Sequence, residues 1–181
     1  MHAKAEVVMD EKVVTRQPLL DSTGEVVLAH AMPRFDLQRS RLNISGILAG
    51  GYSVVTTIRG ATFRFTAILY KAETTYLVSI ERHVHGEWTA LCAETHDRSV
   101  VPELSRQFLG FVLSVIAAEP SVLSIEFAAA LDDQTQRDFY HTAVLYLARR
   151  LQATYRMQEF SYNLGYTLIL PHRKSGRVAT L

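Results

Sequence analysis

The stretch VLSIEFAAALDDQTQRDFYHTAVLYLARRL, residues 122–151, decides the fold. Its first eight residues are mostly apolar and are bounded by Pro120 and the acidic pair at 132–133, which is typical of a central strand covered on both faces or nearly so. Asp133 with Gln136 then resembles a capping box at the start of an amphipathic helix. The pattern predicts one strand followed directly by one helix.

Outward from this stretch, the spacing of apolar residues predicts the remaining elements. A 3.6-residue repeat predicts a first helix over residues 100–118, and the helix after Asp133 is predicted to run to about Met157. Strict alternation over residues 160–170 predicts a single final strand. Four further strands are predicted before the first helix, with turns at Gly60-Ala61 and His85-Gly86 and His83 facing Trp88: residues 52–59, 62–70, 75–84 and 87–93.

These elements predict an α+β fold. We expect an antiparallel-dominated sheet of about five to seven strands with two amphipathic helices, in the order βββ(β)-α-β-α-β. Residues 43–171 are predicted to form a single domain, because 181 residues bury enough surface for one core. Short β-branched runs and turn residues predict an N-terminal arm or hairpin over residues 1–42, and residues 172–181 are predicted to be a basic, frayed tail.

Composition narrows the class of protein. The net charge is +1, so no global charge points to nucleic acid or to an anionic membrane. Cys92 is the single cysteine, and no apolar run reaches about 18 residues. We therefore expect a soluble, cytoplasmic protein that does not engage a membrane. The excess of arginine over lysine fits a GC-rich, bacterial genome.

Few residues suggest catalysis or metal binding. His83 and His85 are two apart on a predicted strand and share a face, as paired metal ligands do, but a solvated hairpin tip is the preferred interpretation. Cys92 lies four residues before His96, but a free cysteine is commonly a small buried apolar residue. We predict no catalytic residues, no metal site and no cofactor.

The order of strands and helices is similar in outline to the acetyltransferase fold of the GNAT superfamily. Those enzymes cradle the pyrophosphate of their acyl carrier with a Gly-rich turn at a helix N-terminus. This chain has DRSVVP at residues 97–102, which contains no glycine, although Arg98 can meet an anion. The alternative function is a small acyltransferase-like or hydrolytic enzyme, with a site gathered from single residues at the sheet edge beside the first helix: His83, Cys92, His96 and Arg98.

The aromatic residues near the C-terminus favour a binding function. Tyrosine combines an apolar ring with a polar hydroxyl and is enriched at interfaces. We predict Phe160, Tyr162 and Tyr166 as partner-binding residues. The preferred interpretation is a non-catalytic binding protein, acting as a regulator, adaptor or accessory factor through protein–protein contacts and forming a homodimer.

A nucleic-acid-binding regulator is the second alternative. Phosphate binding needs several cations on one surface. The candidate anion or nucleic-acid contacts are Arg98, Arg149, Arg150, Arg156 and Arg173. The arginines at the end of the second helix are also explained by the helix dipole.

Overall fold

The computed structural model describes residues 32–44, 47–70, 74–90 and 98–171. The elements are β1 (Ser40–Ile44), β2 (Ile47–Ile58), β3 (Ala61–Tyr70), β4 (Thr75–Val84), β5 (Glu87–Ala90), a 3-10 turn (Arg98–Val100), α1 (Val101–Ala118), β6 (Ser124–Ala130), α2 (Gln134–Leu151), β7 (Thr154–Phe160) and β8 (Asn163–Ile169). The predicted α+β class is confirmed, with a mixed and mostly antiparallel sheet. Eight strands form instead of five to seven, because β1 and β7 were not predicted.

The sheet has one helix-covered face. Its strand order is β1-β2-β3-β4-β6-β8-β7, and β5 pairs only with β4. The ring of Phe108 on α1 contacts Phe65 on β3, Phe127 on β6 and Tyr140 on α2. Both helices therefore pack side by side against the same face, which we call the helix face. The opposite side of the sheet is called the open face.

Strand β6 is central but covered on one face only. Ile125, Phe127 and Ala129 are fully buried on the helix face, whereas Glu126 is partly exposed and Ala128 is exposed on the open face. The prediction that both faces of this strand are covered is therefore wrong. Alanine at the open-face positions made the strand look uniformly apolar, since a small apolar side chain is tolerated in solvent.

The outer edge of β4 receives two strands in succession. Strand β6 pairs in parallel with the first part of β4, over Thr75–Val78. Strand β5 pairs antiparallel with its last part, residues 81–84. The turn between β4 and β5 places His85 and Gly86 at positive φ, 50° and 90°, which confirms the predicted hairpin there.

Helix α2 supplies polar groups where β4 and β6 separate. The backbone N–H of Ile80 donates to the hydroxyl oxygen of Tyr140 at 3.2 Å, and burial raises the pKa of that hydroxyl to about 12. On the β6 side, the N–H of Ala130 donates to the side-chain oxygen of Gln136 at 2.7 Å. Both amides thus have partners although the strands no longer pair with each other.

The ends of α2 test the predicted helix. Asp133 is the N-cap, and its carboxylate accepts a hydrogen bond from the N–H of Gln136 at 2.9 Å, as predicted. The helix ends at Leu151, so the predicted end near Met157 is wrong. Gln152 adopts a left-handed conformation with φ of 52°, and no glycine marks this stop.

The final strand is in fact a hairpin. Strands β7 and β8 pair antiparallel from Thr154↔Ile169 to Phe160↔Asn163, joined by a two-residue turn at 161–162. The prediction of one strand over residues 160–170 is therefore wrong. Ser161-Tyr162 lacks the Asn-Gly type of sequence that usually signals such turns, and a two-residue turn leaves the apolar alternation uninterrupted.

The segment before β1, residues 32–39, packs on α1 and is called the strap. The N–H of Phe35 donates to the hydroxyl of Ser114 at 3.1 Å, and its ring meets the ring of Phe111 edge-on at 6.3 Å. A Cβ at Gly110 would come within 2.4 Å of the carbonyl oxygen of Pro33, so this close approach requires glycine. Most of the predicted arm, residues 1–31, and the predicted tail, 172–181, lie outside the described residues.

Helix α1 is long and apolar enough to cross a membrane by length and composition alone. Its packing is that of a core helix, because it buries eight residues: Leu104, Phe108, Leu109, Gly110, Phe111, Val112, Val115 and Ile116. It lies between the strap and the sheet.

Removing the hydroxyl of Tyr140 tests the joint between β4 and α2. Tyr140→Phe leaves the buried N–H of Ile80 without an acceptor, and we expect a loss of about 1–3 kcal/mol in the free energy of unfolding, measured with urea. Tyr146→Phe on the same helix is the control. Its hydroxyl accepts from the exposed Arg150, so about 0.5 kcal/mol or less is expected. Equal losses in the two variants would contradict the structural account.

Candidate functional site

The β7–β8 hairpin lies at one edge of the sheet and exposes three large apolar side chains. The side chains of Met157, Phe160 and Tyr162 are 46%, 51% and 82% exposed. The three other large apolar residues exposed in the described part of the chain lie apart from one another, on β2, before β6 and on α2: Val55, Leu123 and Leu145. Half of these side chains are therefore concentrated within six residues, and we call Met157, Phe160 and Tyr162 the hairpin surface.

Contacts within and around the hairpin fix its main chain and set the directions of these side chains. The ring of Phe160 lies over Gly165, where a Cβ would come within 2.8 Å of a ring carbon. Met157 is paired with Tyr166 and so points to the helix face. The carbonyl oxygen of Tyr162 accepts from the N–H of Leu131 at 3.0 Å, which anchors the turn to the loop after β6. The surface thus wraps both sides of a fixed hairpin.

Tyr166 has a different environment from the other two predicted partner-binding residues. It is 2% exposed, its hydroxyl donates to the carbonyl oxygen of Arg137 at 3.2 Å, and its ring stacks on His141 at 5.9 Å. Burial raises the pKa of this hydroxyl. Tyr166 therefore supports the hairpin from the core. Met157 was missed as a surface residue because its sequence position was read as helix.

The predicted arginine contacts do not converge in the described residues. Arg149 and Arg150 are exposed in the last turn of α2, and Arg150 donates to the hydroxyl of Tyr146 at 3.0 Å. Arg156 lies on β7, opposite Thr167, and so points to the open face. Its predicted place at the end of the helix is wrong. The side chain of Arg98 and the whole of Arg173 lie outside the described residues.

A second cluster lies on the open face where β4 meets β5. His83 faces Trp88 across the hairpin, as predicted, with ring centroids 5.0 Å apart. The guanidinium of Arg64 lies 4.5 Å from the centroid of Trp88 and donates to Glu81 at 2.7 Å. The charged and aromatic groups of this cluster therefore bind one another. Within the described ranges, no three histidine, cysteine or acidic residues are placed to hold a metal ion, and Cys92 and His96 lie outside those ranges.

A third cluster joins the strap to the C-terminal end of α1. One carboxylate oxygen of Glu119 accepts from the hydroxyls of Tyr52 at 2.7 Å and Tyr76 at 3.0 Å, and Arg39 from the strap lies 3.5 Å from the same oxygen. Burial and the hydrogen bond to Glu119 raise the pKa of Tyr52 to about 12, and the same causes raise the pKa of Tyr76 still further. Both hydroxyls therefore stay protonated and act as donors.

A small cleft adjoins this cluster. It has a volume of about 70 Å³ and is lined by Ile116, Glu119, Pro120, Ser121, Val122, Leu123, Leu170 and Pro171. Sites for small molecules are typically about 300–1,000 Å³. The tyrosine hydroxyls point at Glu119, and the arrangement ties together β2, β4, α1 and the strap.

The Tyr52–Glu119 hydrogen bond predicts a dependence of stability on alkaline pH. Because the pKa of Tyr52 is raised in the folded state, its contribution is complete below about pH 10, where the unfolded tyrosine is also neutral. It is lost as the pH rises toward 12. Tyr52→Phe should lower the free energy of unfolding at pH 7 by about 1 kcal/mol, yet its stability should fall less steeply between pH 9.5 and 11.5.

Urea unfolding at each pH checks this expectation. The double variant Tyr52→Phe/Tyr76→Phe should show a still flatter profile, since Tyr76 also has a raised pKa. If both variants keep the wild-type slope, the hydroxyls do not carry the alkaline transition.

The chain was also compared with known proteins. No protein-family model, curated protein or solved structure matches it. The functional proposal therefore rests on the geometry of the described residues.

Proposed function

We propose that the protein is a non-catalytic, cytoplasmic binding protein, acting as a regulator, adaptor or accessory factor, and that it contacts another protein through the hairpin surface. The observation that carries the proposal is the joint exposure of Met157, Phe160 and Tyr162 on one hairpin. Concentrated apolar side chains at a protein surface are typical of interaction sites.

The chemistry of the hairpin surface suits a protein partner. Phe160 and Tyr162 offer aromatic area, and aromatic residues together with methionine are enriched in interfaces. Tyr162 keeps a hydroxyl that can bond at the rim of an interface. Arg156 and Glu159 are exposed beside them and provide charges of both signs. This combination suits a partner with an apolar pocket bordered by polar groups.

The rigidity of the hairpin lowers the cost of binding. Tyr162 is tied by its carbonyl to Leu131, and the ring of Phe160 rests on Gly165. Tyr166 holds the hairpin against α2 from below. A main chain that is already fixed in place loses less conformational entropy when a partner binds. The same surface on a loose loop would bind more weakly.

The alternative of an acyltransferase-like or hydrolytic enzyme has less support in the described residues. The layout places a parallel pair of strands, β4 and β6, beside α1, but their separation is filled by Tyr140, Gln136 and strand β5. Helix α1 begins after Val100 with Pro102 in its first turn and without a side-chain cap. Neither feature offers the cradle for an anion that a Gly-rich helix start provides.

The alternative of a nucleic-acid-binding regulator also has less support. Arg149 and Arg150 lie in the helix layer, whereas Arg156 points to the open face. A phosphate backbone is bound by cations that share one surface. The single cysteine of the chain supports the cytoplasmic assignment, since disulfide frameworks belong to oxidising compartments.

Polar replacement of the hairpin aromatics tests the proposed function. We expect the full-length variant Phe160→Ser/Tyr162→Ser to lose proteins that the wild-type chain captures from its native lysate, because it loses the apolar contact area. Quantitative mass spectrometry of matched pull-downs measures the loss, and about tenfold or more is expected for a contact worth about 1.4 kcal/mol or more.

Val55→Ser is the matched control, since Val55 is 58% exposed and lies on strand β2, away from the hairpin. The control should capture the same proteins as the wild type. Circular dichroism should show all three proteins folded. Equal capture by the wild type and the double variant would reject the hairpin surface as the contact site.

A further inference from the structure

We propose that the outer edge of β7 pairs with β7 of a second copy of this chain, antiparallel and about a two-fold axis at Met157. The two sheets would then form one continuous sheet. The proposal goes beyond the proposed function, which concerns a different protein bound by side chains of the hairpin. In the dimer Met157 belongs to the interface between the two copies, and Phe160 and Tyr162 are the contacts of that other protein. It rests on main-chain geometry and on the sequence of β7.

The free main-chain groups of β7 follow from its turn. A two-residue turn is closed by a pair that exchanges both main-chain hydrogen bonds, here Phe160 and Asn163. Since the bonding direction alternates along a strand, Arg156 and Gln158 also bond toward β8. Tyr155, Met157 and Glu159 therefore direct their N–H and C=O groups outward. Strand β7 is the last strand of the sheet in the described residues.

These outward groups select one register. Placing Met157 opposite Met157 of the second copy puts Tyr155 opposite the second copy's Glu159, and all three outward residues pair. About six main-chain hydrogen bonds form in this register. A shift by one residue would bring inward-directed groups together, and a shift by two would leave one outward residue of the strand unpaired within the other β7. The register centred on Met157 is the most complete.

The side chains of β7 are complementary in that register. On the helix face, the hydroxyl of Tyr155 can donate to the carboxylate of Glu159, and two half-exposed Met157 side chains cover each other. On the open face, Arg156 stands opposite Gln158. No like charges are directly opposed. A two-fold axis perpendicular to the sheet keeps both helix layers on one side.

Strand β7 also lacks most of the features that usually protect a sheet edge. Its seven residues, TYRMQEF, include no proline, glycine or lysine. Its pairing with β8 is one-to-one throughout, so no bulge twists the edge away. Exposed, regular edge strands pair with other strands unless such features prevent it. The charges it does carry, on Arg156 and Glu159, are compatible with self-pairing.

Sedimentation velocity and light scattering on the full-length protein give the first test. We expect a particle of twice the 20.4-kDa chain mass. Met157→Pro removes one outward N–H without removing a bond to β8 and should give a folded monomer. Met157→Thr is the control, since it keeps the N–H and a strand-forming side chain, and should remain dimeric. A wild-type monomer overturns the proposal, including one whose β7 edge is covered by another part of its own chain.

Cysteine cross-linking tests the register independently of Met157→Pro. In a Cys92→Ser background, Met157→Cys places two thiols on residues about 5.5 Å apart between Cα atoms, within disulfide range. Thr154→Cys places them about 20 Å apart, since six residues separate the two positions. We expect covalent dimer on mild oxidation with Met157→Cys and at least tenfold less with Thr154→Cys. Dimers that cross-link equally, or not at all, overturn the proposal. Loss of a captured partner in the Phe160/Tyr162 variant bears on the proposed function alone.

Discussion

The hydrogen bond from the Ile80 amide to the Tyr140 hydroxyl joins strand β4 to helix α2, and the packing of the sheet against the helices depends on it. Strand β4 uses its outer edge for β6 over Thr75–Val78 and for β5 over residues 81–84, and Ile80 lies between them. A buried amide without an acceptor costs about 1–3 kcal/mol. Within the described residues, Tyr140 of α2 supplies the acceptor for this amide. The bond therefore fixes α2 over the part of β4 that pairs with neither β6 nor β5. Aromatic contacts from Tyr140 to Phe127 and Phe108 then hold α1, α2 and β6 as one core.

The position of α2 determines what the protein displays. With α2 fixed at the sheet opening, the chain leaves the helix at Gln152 and returns along the sheet as β7, outside β8. The helices cover little of strand β7. Its residues are exposed except for Tyr155, which is partly buried. At the opposite side, the strap and the Tyr52–Glu119 hydrogen bond close the other end of α1. Most residues of β7 are exposed, Met157 and Phe160 among them, which is why binding is proposed at this edge.

The sequence predicted the elements whose signals are local. The 3.6-residue repeat located α1, Asp133 located the start of α2, and the His85-Gly86 turn placed His83 opposite Trp88. Two backbone turns without a sequence signal caused the main errors. Gln152 adopts a left-handed conformation that glycine usually marks, and a two-residue turn follows Phe160 where no Asn-Gly pair is present.

Those two errors decided how well the candidate site was predicted. Of the three predicted partner-binding residues, Phe160 and Tyr162 are exposed and Tyr166 is buried, and the exposed Met157 was predicted to lie in a helix. Burial of Tyr166 depends on the packing of α2 on β8, which is a long-range contact.

The central claim is that the Tyr140 hydroxyl closes the sheet at Ile80, and amide hydrogen exchange measured by NMR tests it most directly. The amide of Ile80 should exchange as slowly as that of Val78 within the β4–β6 ladder, whereas exchange as fast as that of an exposed loop amide would contradict the claim.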